Sequence, residues 1–532
     1  MNSSLKADLV LHSGAIWTMA RGQKLPYDSI AIRNGKVIAA GSRSNLDTLI
    51  GPQTNQISLE GRFVLPGFCD SHIHLHEYAQ SLDVVDCETE TINAALERIS
   101  AALDNLQEDA WIRGHGWRSD RWGRFGDCSD LDRITGIRPA FITSKSLHAV
   151  WVNSRVLDIA GITKATPDPA GGEIVRDVHG SPTGILLENA VKLILPHLPQ
   201  PTPYKLASLL KEAQMNLHKM GITSVHDFDG ALCFSALQIM HFENQLKLRV
   251  LKQVKSNALD AAIEAGLRSN FGNPWLRIGQ VKFFADGALG PRTALMLDPY
   301  EGSNIDYGIA AVDFEGLYQQ IHRCVKHGFA VSIHAIGDAA NRRILDLLER
   351  LDRQALQKPA LPHRIEHFQL VHPDDLPRIK RDDLVISMQP YHATSDMTMA
   401  DKHWGNRCKY AYAWRSVLDM GATLIFGSDS PVELPIPLWG IHAAASRRDH
   451  NGTPERGWNP HECITRKEAM LAYTRTPAVA SGSGAFLGQL APGYLADLQV
   501  YTEDPLHCDL DSLIHLKPCA VMVDGNWMLR DF

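Results

Sequence analysis

The sequence lacks the closely spaced cysteines that zinc knuckles and disulfide frameworks need. Its nine cysteines are odd in number and scattered, no CxxC motif occurs, and no two of them lie closer than eleven residues apart. This spacing argues against a structural zinc knuckle and against a disulfide scaffold. Reduced, mostly buried thiols are the expected state.

Long apolar runs and an excess of basic charge are missing as well. No segment approaches the ~20 consecutive apolar residues of a membrane span, and charged residues interrupt the first twenty positions, where a signal peptide would need an apolar core. The 53 Lys and Arg residues against 60 Asp and Glu residues give a net charge of -7. We therefore expect a cytoplasmic protein that binds neither a membrane nor nucleic acid.

The pattern of the sequence changes along its 532 residues. About the first 60 residues and about the last 45 consist of short strand-like segments separated by turns, and Arg-Asn-Gly at 33–35 is a strong hairpin signal. The two ends are therefore predicted to share one small sheet domain.

Between residues 203 and 480 apolar runs alternate with helical stretches. Seven strand-like runs occur there and an eighth precedes them, at 62–70, 221–228, 248–254, 277–286, 329–335, 363–370, 384–390 and 422–429. Such alternation predicts a parallel sheet covered on both faces, and eight units predict a (β/α)8 barrel over 61–484. Residues from about 76 to 200 do not fit one βα unit. We interpret them as a large insertion after the first strand, at the mouth where barrel loops form substrate pockets.

A few of the 24 histidines fall at the ends of predicted strands. His72 and His74 follow the first strand, and residues two apart in an extended segment face the same side; such a pair alone is weak evidence for a metal site. His334, His367 and Asp429 lie near the ends of predicted strands five, six and eight, on the face where barrel enzymes place their chemistry. Four imidazoles and a carboxylate match the ligands of zinc and similar divalent ions.

Lys282 lies inside the predicted fourth strand, where an unpaired ammonium group is costly to bury. Two interpretations of this lysine stay open. Its amine could react with carbon dioxide to form a carbamate that bridges two metal ions, or it could form an ion pair with Asp286 or another carboxylate of the pocket.

Longer motifs around these residues resemble the amidohydrolase superfamily, and within it the amidohydrolase-3 branch of YtcJ-like proteins and N-substituted formamide deformylases. The matching stretches span nearly the whole chain in order; they include LPGFCDSHIHL (65–75), VKFFADGALGPRTA (281–294), SIHAIGDAAN (332–341), RIEHFQL (364–370) and FGSDSPVE (426–433). The resemblance implies a metal-dependent hydrolase barrel with a small β-sandwich formed by residues 1–60 and 485–532.

The resemblance also implies a role for each candidate ligand. The more buried ion would be held by His72, His74 and Asp429, a second ion by His334 and His367, and carboxylated Lys282 would bridge the two. Whether one or two ions are bound stays open. Mononuclear deaminases resemble one another in a Glu three residues after the strand-five histidine, and Gly337 at this place disfavours a deaminase.

A divalent ion lowers the pKa of bound water to roughly 7 and polarises a carbonyl group, so that the predicted reaction is hydrolysis. Asp429 is the predicted proton shuttle, and the absence of a GxSxG motif argues against a serine nucleophile. We expect cleavage of the C–N bond of an amide, such as an N-substituted formamide or a cyclic amide, with zinc as the expected metal. Hydrolysis of an ester, carbamate or phosphotriester is one alternative. A non-catalytic regulatory or scaffold homologue is another, although such relatives generally lose ligands and none is missing here.

Six further residues are candidates for contact with a small-molecule substrate. They are Arg292 after strand four, His115, Trp117 and His148 in the insertion, and His392 and Asp396 in the loop after strand seven. Arg292 could instead brace its loop through an ion pair, and each histidine could be structural. The identity of the substrate and the oligomeric state stay open, with a homodimer as a hypothesis.

Overall fold

The structure, a computed structural model, describes residues 6–82, 84–104, 110–144, 149–169, 171–199, 201–354 and 356–532. The chain divides into two compact units, Met1–Tyr78 with Pro203–Phe532, and Ala79–Thr202. All nine cysteines are free and most are buried, as the sequence predicts. In the described part of the chain, no helix is both long and apolar enough to cross a membrane.

Eight parallel strands form the barrel of the first unit, and their order in the sheet follows the chain. They are β1 (Phe68–Ile73), β2 (Ile222–Asp227), β3 (Arg249–Lys255), β4 (Leu276–Phe284), β5 (Val331–Ala335), β6 (His363–His367), β7 (Leu384–Met388) and β8 (Thr423–Phe426). A parallel bridge between Ile73 and Ser430 brings the end of β1 against the segment that follows β8. The predicted (β/α)8 barrel is confirmed.

Helices alternate with the barrel strands. They are Leu75–Ser81, Pro203–Lys219, Ala231–Phe242, Leu259–Glu264, Phe314–Lys326, Asp338–Asp352, Pro390–Trp404, Trp414–Asp419, Pro437–Ser446, Arg466–Ala472 and Arg475–Ala480. The helix Asp338–Asp352 buries Ile344, Leu348 and Leu351, which recur at helical spacing and give it one apolar face. That face anchors the helix in the packed layer around the sheet.

The first predicted strand, 62–70, is two strands that meet at Gly67. Phe63–Pro66 pairs antiparallel with Leu498–Tyr501 in a different sheet, and only the segment from Phe68 onwards belongs to the barrel. A Cβ atom at Gly67 would lie 2.2 Å from Oγ1 of Thr223. Since that distance is far below van der Waals contact, the chain passes from one sheet to the other at a residue without a side chain.

Strands from both ends of the chain form two further sheets. The four-stranded sheet consists of Leu9–His12, Ser29–Arg33, Lys36–Gly41 and Asn55–Ser58, and the five-stranded sheet of Ala15–Ile16, Phe63–Pro66, Leu498–Tyr501, Ala520–Val523 and Asn526–Arg530. Leu11 and Ile30 from the first sheet pack in one core with Val500 and Met522 from the second. The hairpin predicted at 33–35 is present, with positive φ angles at Asn34 and Gly35. The domain limits 1–60 and 485–532 stay a prediction.

The second unit, Ala79–Thr202, follows β1 and precedes β2 along the chain. Its sheet contains, in spatial order, Gly172–Arg176, Pro182–Glu188, Ala149–Val152, Ala140–Ser144, Ile112–Trp117 and Val85–Asp86. The helices Ile92–Leu103, Ser119–Trp122, Cys128–Thr135 and Ser154–Ile159 accompany it. Leu131, Ile142 and Trp151 lie in its own apolar core, so that the unit has an interior independent of the barrel.

Candidate metal centre

The candidate ligands of β1 and β8 converge at the carboxyl ends of the strands. His72 lies in β1, His74 follows β1 directly, and Asp429 follows β8. Oδ1 of Asp429 is 3.4 Å from Nε2 of His72 and 3.5 Å from Nε2 of His74. Because parallel strands all run in the same direction, residues distant in the sequence meet at this rim of the barrel.

His334 of β5 and His367 of β6 complete the cluster. The ring centroids of these two histidines are 4.4 Å apart, and those of His72 and His367 are 5.0 Å apart. The ligand atoms of His72, His367 and Asp429 all lie within 4.8 Å of one another. Four imidazoles and one carboxylate predicted from strand ends therefore surround one small volume.

Two of these residues have backbone conformations that side chains other than glycine rarely adopt. The φ angle is +72° at His367 and +60° at Asp429. Such angles cost roughly 1–3 kcal/mol each and persist where the surrounding structure holds them, which occurs often at functional sites. Here they turn both side chains into the cluster at the points where the extended strands end.

Each ring on β1 donates a hydrogen bond from one nitrogen to a buried carboxylate. Nδ1 of His72 is 2.7 Å from Oε2 of Glu366, and Nδ1 of His74 is 3.1 Å from Oδ1 of Asp229. An ionised carboxylate only accepts hydrogen bonds, so Nδ1 carries the proton in both rings. In a neutral ring the lone pair is then on Nε2, the atom that faces Asp429.

The other two rings are held by neutral acceptors. Nε2 of His334 donates to the carbonyl oxygen of Gly287 at 2.9 Å, and Nδ1 of His367 donates to Oε1 of Gln389 at 2.9 Å. Metal-binding histidines usually have such a partner for the second nitrogen, which fixes the tautomer and the ring orientation. In the neutral form, each of the four imidazoles thus has one nitrogen available for a metal.

The protonation states of the cluster suit a cation. Burial, together with the charge of Lys282, lowers the pKa of His72 to about 4 and that of His334 to about 3. Burial lowers the pKa of His74 too, but hydrogen bonds to Asp229 and Asp429 outweigh it and raise that pKa to about 10. Burial opposes ionisation of Asp429, yet the neighbouring histidines hold its pKa well below the usual range. The cluster therefore offers one carboxylate and three neutral imidazoles, and His74 must release a proton before its Nε2 atom can bind a metal.

Lys282 points into apolar surroundings. Its side chain is buried, and Nζ lies 4.7 Å from the ring centroid of Phe228 and 5.1 Å from that of Phe284. Burial lowers the pKa of the Lys282 amine to about 8. Its expected alternative partner, Asp286, instead accepts backbone N–H groups of Leu295, Ile336 and Gly337. The ion pair between Lys282 and Asp286 considered from the sequence is therefore not formed.

A second cluster, of two carboxylates and a thiol, follows β2 and already contains a cation. Ligand atoms of Asp227, Asp229 and Cys233 lie within 4.8 Å of one another, but Nζ of Lys252 is 2.8 Å from Oδ2 of Asp227. The same ammonium donates to the carbonyl oxygen of Gln253 at 3.2 Å. Lys252 thus supplies the positive charge that these carboxylates need, and they brace the segment after β2.

Three predicted substrate contacts lie in the first unit. Arg292 forms an ion pair with Asp306 at 3.0 Å, the loop-bracing contact that the sequence also suggested. His392 is buried, and its ring stacks at 6.4 Å from that of His367. Asp396 accepts a hydrogen bond from the hydroxyl group of Tyr412 at 2.6 Å. His392 and Asp396 were predicted to lie in a loop after strand seven. That prediction is wrong, because both belong to the helix Pro390–Trp404.

The remaining three predicted contacts belong to the insertion. Nδ1 of His115 lies 2.9 Å from Oγ1 of Thr143. Trp117 is 2% exposed and donates its indole N–H to the carbonyl oxygen of Ile142 at 2.9 Å. That interior position leaves the Trp117 side chain inaccessible to a substrate. His148 lies outside the described residues.

The acceptors that hold the histidines were not predicted from the sequence. Side chains alternate along a strand, which would place Glu366 and His367 on opposite faces. Glu366 contacts His72, and the positive φ angle at His367 brings the His367 ring to the same side. Four of the five residues of β6 are ionisable, which is unusual for a buried barrel strand and was the one available signal. His226 of β2 accepts a hydrogen bond from Arg364 at 2.8 Å.

Comparison with known proteins agrees with the geometry. The profile of the amidohydrolase family matches residues 56–528. The chain belongs to the amidohydrolase family. This result confirms the resemblance found in the motifs, and the match includes every residue of the candidate centre.

Individual relatives match the chain over nearly its whole length. The Bacillus subtilis (strain 168) protein YtcJ is 30% identical, over 97% of this chain and 98% of the relative. The N-substituted formamide deformylase of Arthrobacter pascens is 27% identical, over 93% of this amidohydrolase and 94% of the relative. The crystal structure of an uncharacterized metal-dependent hydrolase from Pyrococcus furiosus covers 94% of this chain and 100% of its own, with 29% identity and a TM-score of 0.79.

Proposed function

We propose that this amidohydrolase is a metal-dependent hydrolase that cleaves the C–N bond of an amide with water. The observation that carries the proposal is the convergence of imidazole nitrogens on Asp429, whose Oδ1 atom lies 3.4 Å from Nε2 of His72 and 3.5 Å from Nε2 of His74. The similar structure from Pyrococcus furiosus, a metal-dependent hydrolase, supports metal dependence. The name of the Arthrobacter pascens relative, a formamide deformylase, supports an amide substrate.

The donor set fits one or two divalent ions, with zinc as the proposed metal. Imidazole nitrogens and carboxylate oxygens are zinc's usual ligands in proteins, and each histidine is already oriented by an acceptor on its other nitrogen. Residues His72, His74, His334, His367 and Asp429 would hold the metal. When bound, a divalent ion acidifies water to a pKa of roughly 7 and polarises the carbonyl group that is attacked.

Asp429 is the proposed catalytic residue. Its carboxylate is ionised, so it accepts a proton from the attacking water and returns that proton to the leaving nitrogen. The strained backbone at Asp429 and its contacts with His72 and His74 fix the position of the carboxylate. Such fixed placement is what general acid–base catalysis requires.

Lys282 is the proposed bridge between two ions. Addition of its neutral amine to carbon dioxide forms a carbamate and releases one proton, which turns an unpaired cation into an anion with two oxygen ligands. This change removes the cost of an unpaired ammonium group in apolar surroundings. Lys282 has no carboxylate at ion-pair distance among the residues that the structure describes, which supports this proposal.

Arg292, His392, Asp396, His115 and His148 stay proposed substrate contacts. His392 is favoured among them, because its ring stacks parallel to that of His367 and its Nε2 atom is buried without a hydrogen-bond partner in the described part of the chain. A substrate carbonyl or carboxylate oxygen could accept a hydrogen bond from that nitrogen. Arg292 would have to release Asp306 first.

A metal analysis combined with a substrate panel tests the function. The purified protein is expected to contain one or two equivalents of a divalent metal, and to hydrolyse N-substituted formamides or cyclic amides faster than matched esters, carbamates and phosphotriesters. Preference for an ester or phosphotriester would overturn the C–N assignment. A protein that neither contains nor is stabilised by a divalent metal would overturn metal dependence and favour a non-catalytic homologue.

A further inference from the structure

Behind His72 and His74 lie two buried carboxylates, each of which accepts a hydrogen bond from one of these rings. Glu366 is fully buried and accepts from His72, and Asp229 is 3% exposed and accepts from His74. We propose that Glu366 and Asp229 are positioning residues that orient the two imidazoles for the metal. The inference rests on the proposed metal-dependent function and goes further by assigning the residues that prepare the site.

Glu366 is held from several sides. Its Oε1 atom accepts a hydrogen bond from the hydroxyl group of Ser332 at 2.6 Å and forms an ion pair with Nε of Arg364 at 2.7 Å. Its Oε2 atom is shared between His72 and a second nitrogen of Arg364, at 2.7 and 3.1 Å. A carboxylate with this many charge-assisted contacts has a single orientation.

Arg364 is in turn fixed by the barrel interior. It is 1% exposed and donates to Nδ1 of His226, to the carbonyl oxygen of Ser71 and to Oγ of Ser387, at 2.8, 2.8 and 3.0 Å. These partners belong to β2, β1 and β7. The position of the Glu366 carboxylate is therefore set by several barrel strands and does not depend on solvent.

The carboxylate behind His74 is held by fewer contacts. Oδ2 of Asp229 accepts the backbone N–H of His76 at 2.6 Å, while Oδ1 accepts from the His74 ring. The ammonium of Lys252 binds the backbone carbonyl of Asp229 and the carboxylate of Asp227. The Lys252 ammonium therefore lies close to the Asp229 carboxylate, as Arg364 does to Glu366.

The arrangement determines which nitrogen of each ring can bind a metal. An imidazole binds through either nitrogen, and the hydrogen bond made by one nitrogen decides which of them is available. Phe228 also stacks on His72 with a centroid distance of 3.9 Å and an angle of 11° between the planes. The ring plane and the protonated nitrogen of His72 are therefore both set before a metal arrives.

Replacement of Glu366 tests this role, with zinc alone as the probe. Glu366→Met has a similar length but no acceptor, and we expect it to bind zinc about 10- to 100-fold more weakly than the wild type, in competition with a chelating dye. Glu366→Gln keeps an acceptor oxygen for His72, and we expect it to recover much of that affinity. The visible spectrum of the cobalt-substituted protein should change in the Met variant, because the ligand geometry changes.

The matched control is Asp497→Asn. Asp497 is a buried carboxylate that pairs with the buried Arg249 at 2.5 Å, and none of the candidate ligands is its partner. This variant should lose stability and keep wild-type zinc affinity, which separates positioning from general weakening of the fold. If Glu366→Met does not fold, Asp229→Leu provides the same test on His74. Wild-type zinc affinity and an unchanged cobalt spectrum in the folded variants would overturn the inference.

Failure of the positioning role can be distinguished from failure of the proposed amide hydrolysis. A wild-type protein that binds zinc and hydrolyses no amide would overturn the C–N assignment, while weaker zinc binding in Glu366→Met would still support the positioning role. Conversely, a Glu366→Met variant with wild-type zinc affinity and full metal-dependent amide hydrolysis would overturn only the positioning role.

Discussion

Glu366 and His367 are neighbours in β6, yet both side chains reach His72. Glu366 accepts the Nδ1 proton of His72 at 2.7 Å, and the ring of His367 lies 5.0 Å from the ring of His72. Consecutive residues of a regular strand face opposite sides, so the pair requires the positive φ angle at His367. One local departure from strand geometry thus supplies both a candidate ligand and the group that orients another.

Substitution of Asp429 by Asn should remove turnover and leave the metal bound. The amide cannot accept the proton of the attacking water, whereas its carbonyl oxygen can still act as a ligand. We expect a fall in kcat of about 100- to 10,000-fold, the usual contribution of a general acid–base group. Steady-state kinetics and metal analysis of the same preparation measure both effects. The control is Asp375→Asn, at a buried carboxylate that pairs with Arg342 and Arg378. An active Asp429→Asn variant would contradict the assigned role.

Removal of the metal should abolish activity and lower thermal stability together. A ligand that binds only the folded state stabilises it by about 2.7 kcal/mol when its concentration is 100 times its dissociation constant. Dialysis against a chelator should therefore lower the midpoint of thermal unfolding, and added zinc should restore both activity and midpoint. Full activity after exhaustive removal of metal would count against this expectation.

Two neighbouring histidines should respond differently to replacement by Ala. His334 presents an unprotonated Nδ1 to the cluster because its Nε2 donates to Gly287, so His334→Ala should lose bound metal. His392 stacks behind His367 and is assigned to substrate contact, so His392→Ala should keep its metal and show mainly a higher KM. Metal content and the separate values of kcat and KM distinguish the two. Metal loss in both variants would place His392 among the groups that support the centre.

The barrel and its candidate ligands were predictable because they depend on patterns that occur along the chain. Apolar runs at regular intervals predict strands, and the ends of parallel strands coincide. His334, His367 and Asp429 could therefore be brought together from the sequence, and Lys282 was recognisable as a lysine inside an apolar strand. The starts and ends of most strands agree with the structure within a few residues.

The parts that were not predictable depend on three-dimensional detail. The entry of the His367 ring on the same side as Glu366 follows from one backbone angle at His367, which periodicity does not reveal. The interior position of Trp117 follows from the packing of a separate unit with its own core. The division of the segment 62–70 between two sheets depends on a close approach between Gly67 and Thr223, residues that are far apart in the sequence.

That close approach gives a test of the fold that is independent of the metal. In Gly67→Ala the new Cβ would lie 2.2 Å from Oγ1 and 2.4 Å from Cγ2 of Thr223, so the side chain or the strands must shift. Gly67 does not have a positive φ angle, and the cost is therefore one of overpacking, about 1–3 kcal/mol. Thr223→Gly removes the obstructing atoms; a glycine within a strand costs roughly 0.5–1 kcal/mol relative to alanine, in addition to the loss of the buried Thr223 side chain. In the double variant the free energy of unfolding should fall by less than the sum of the two single effects, which chemical denaturation of all four proteins measures. Strictly additive effects would mean that the two residues do not interact where the chain passes into β1.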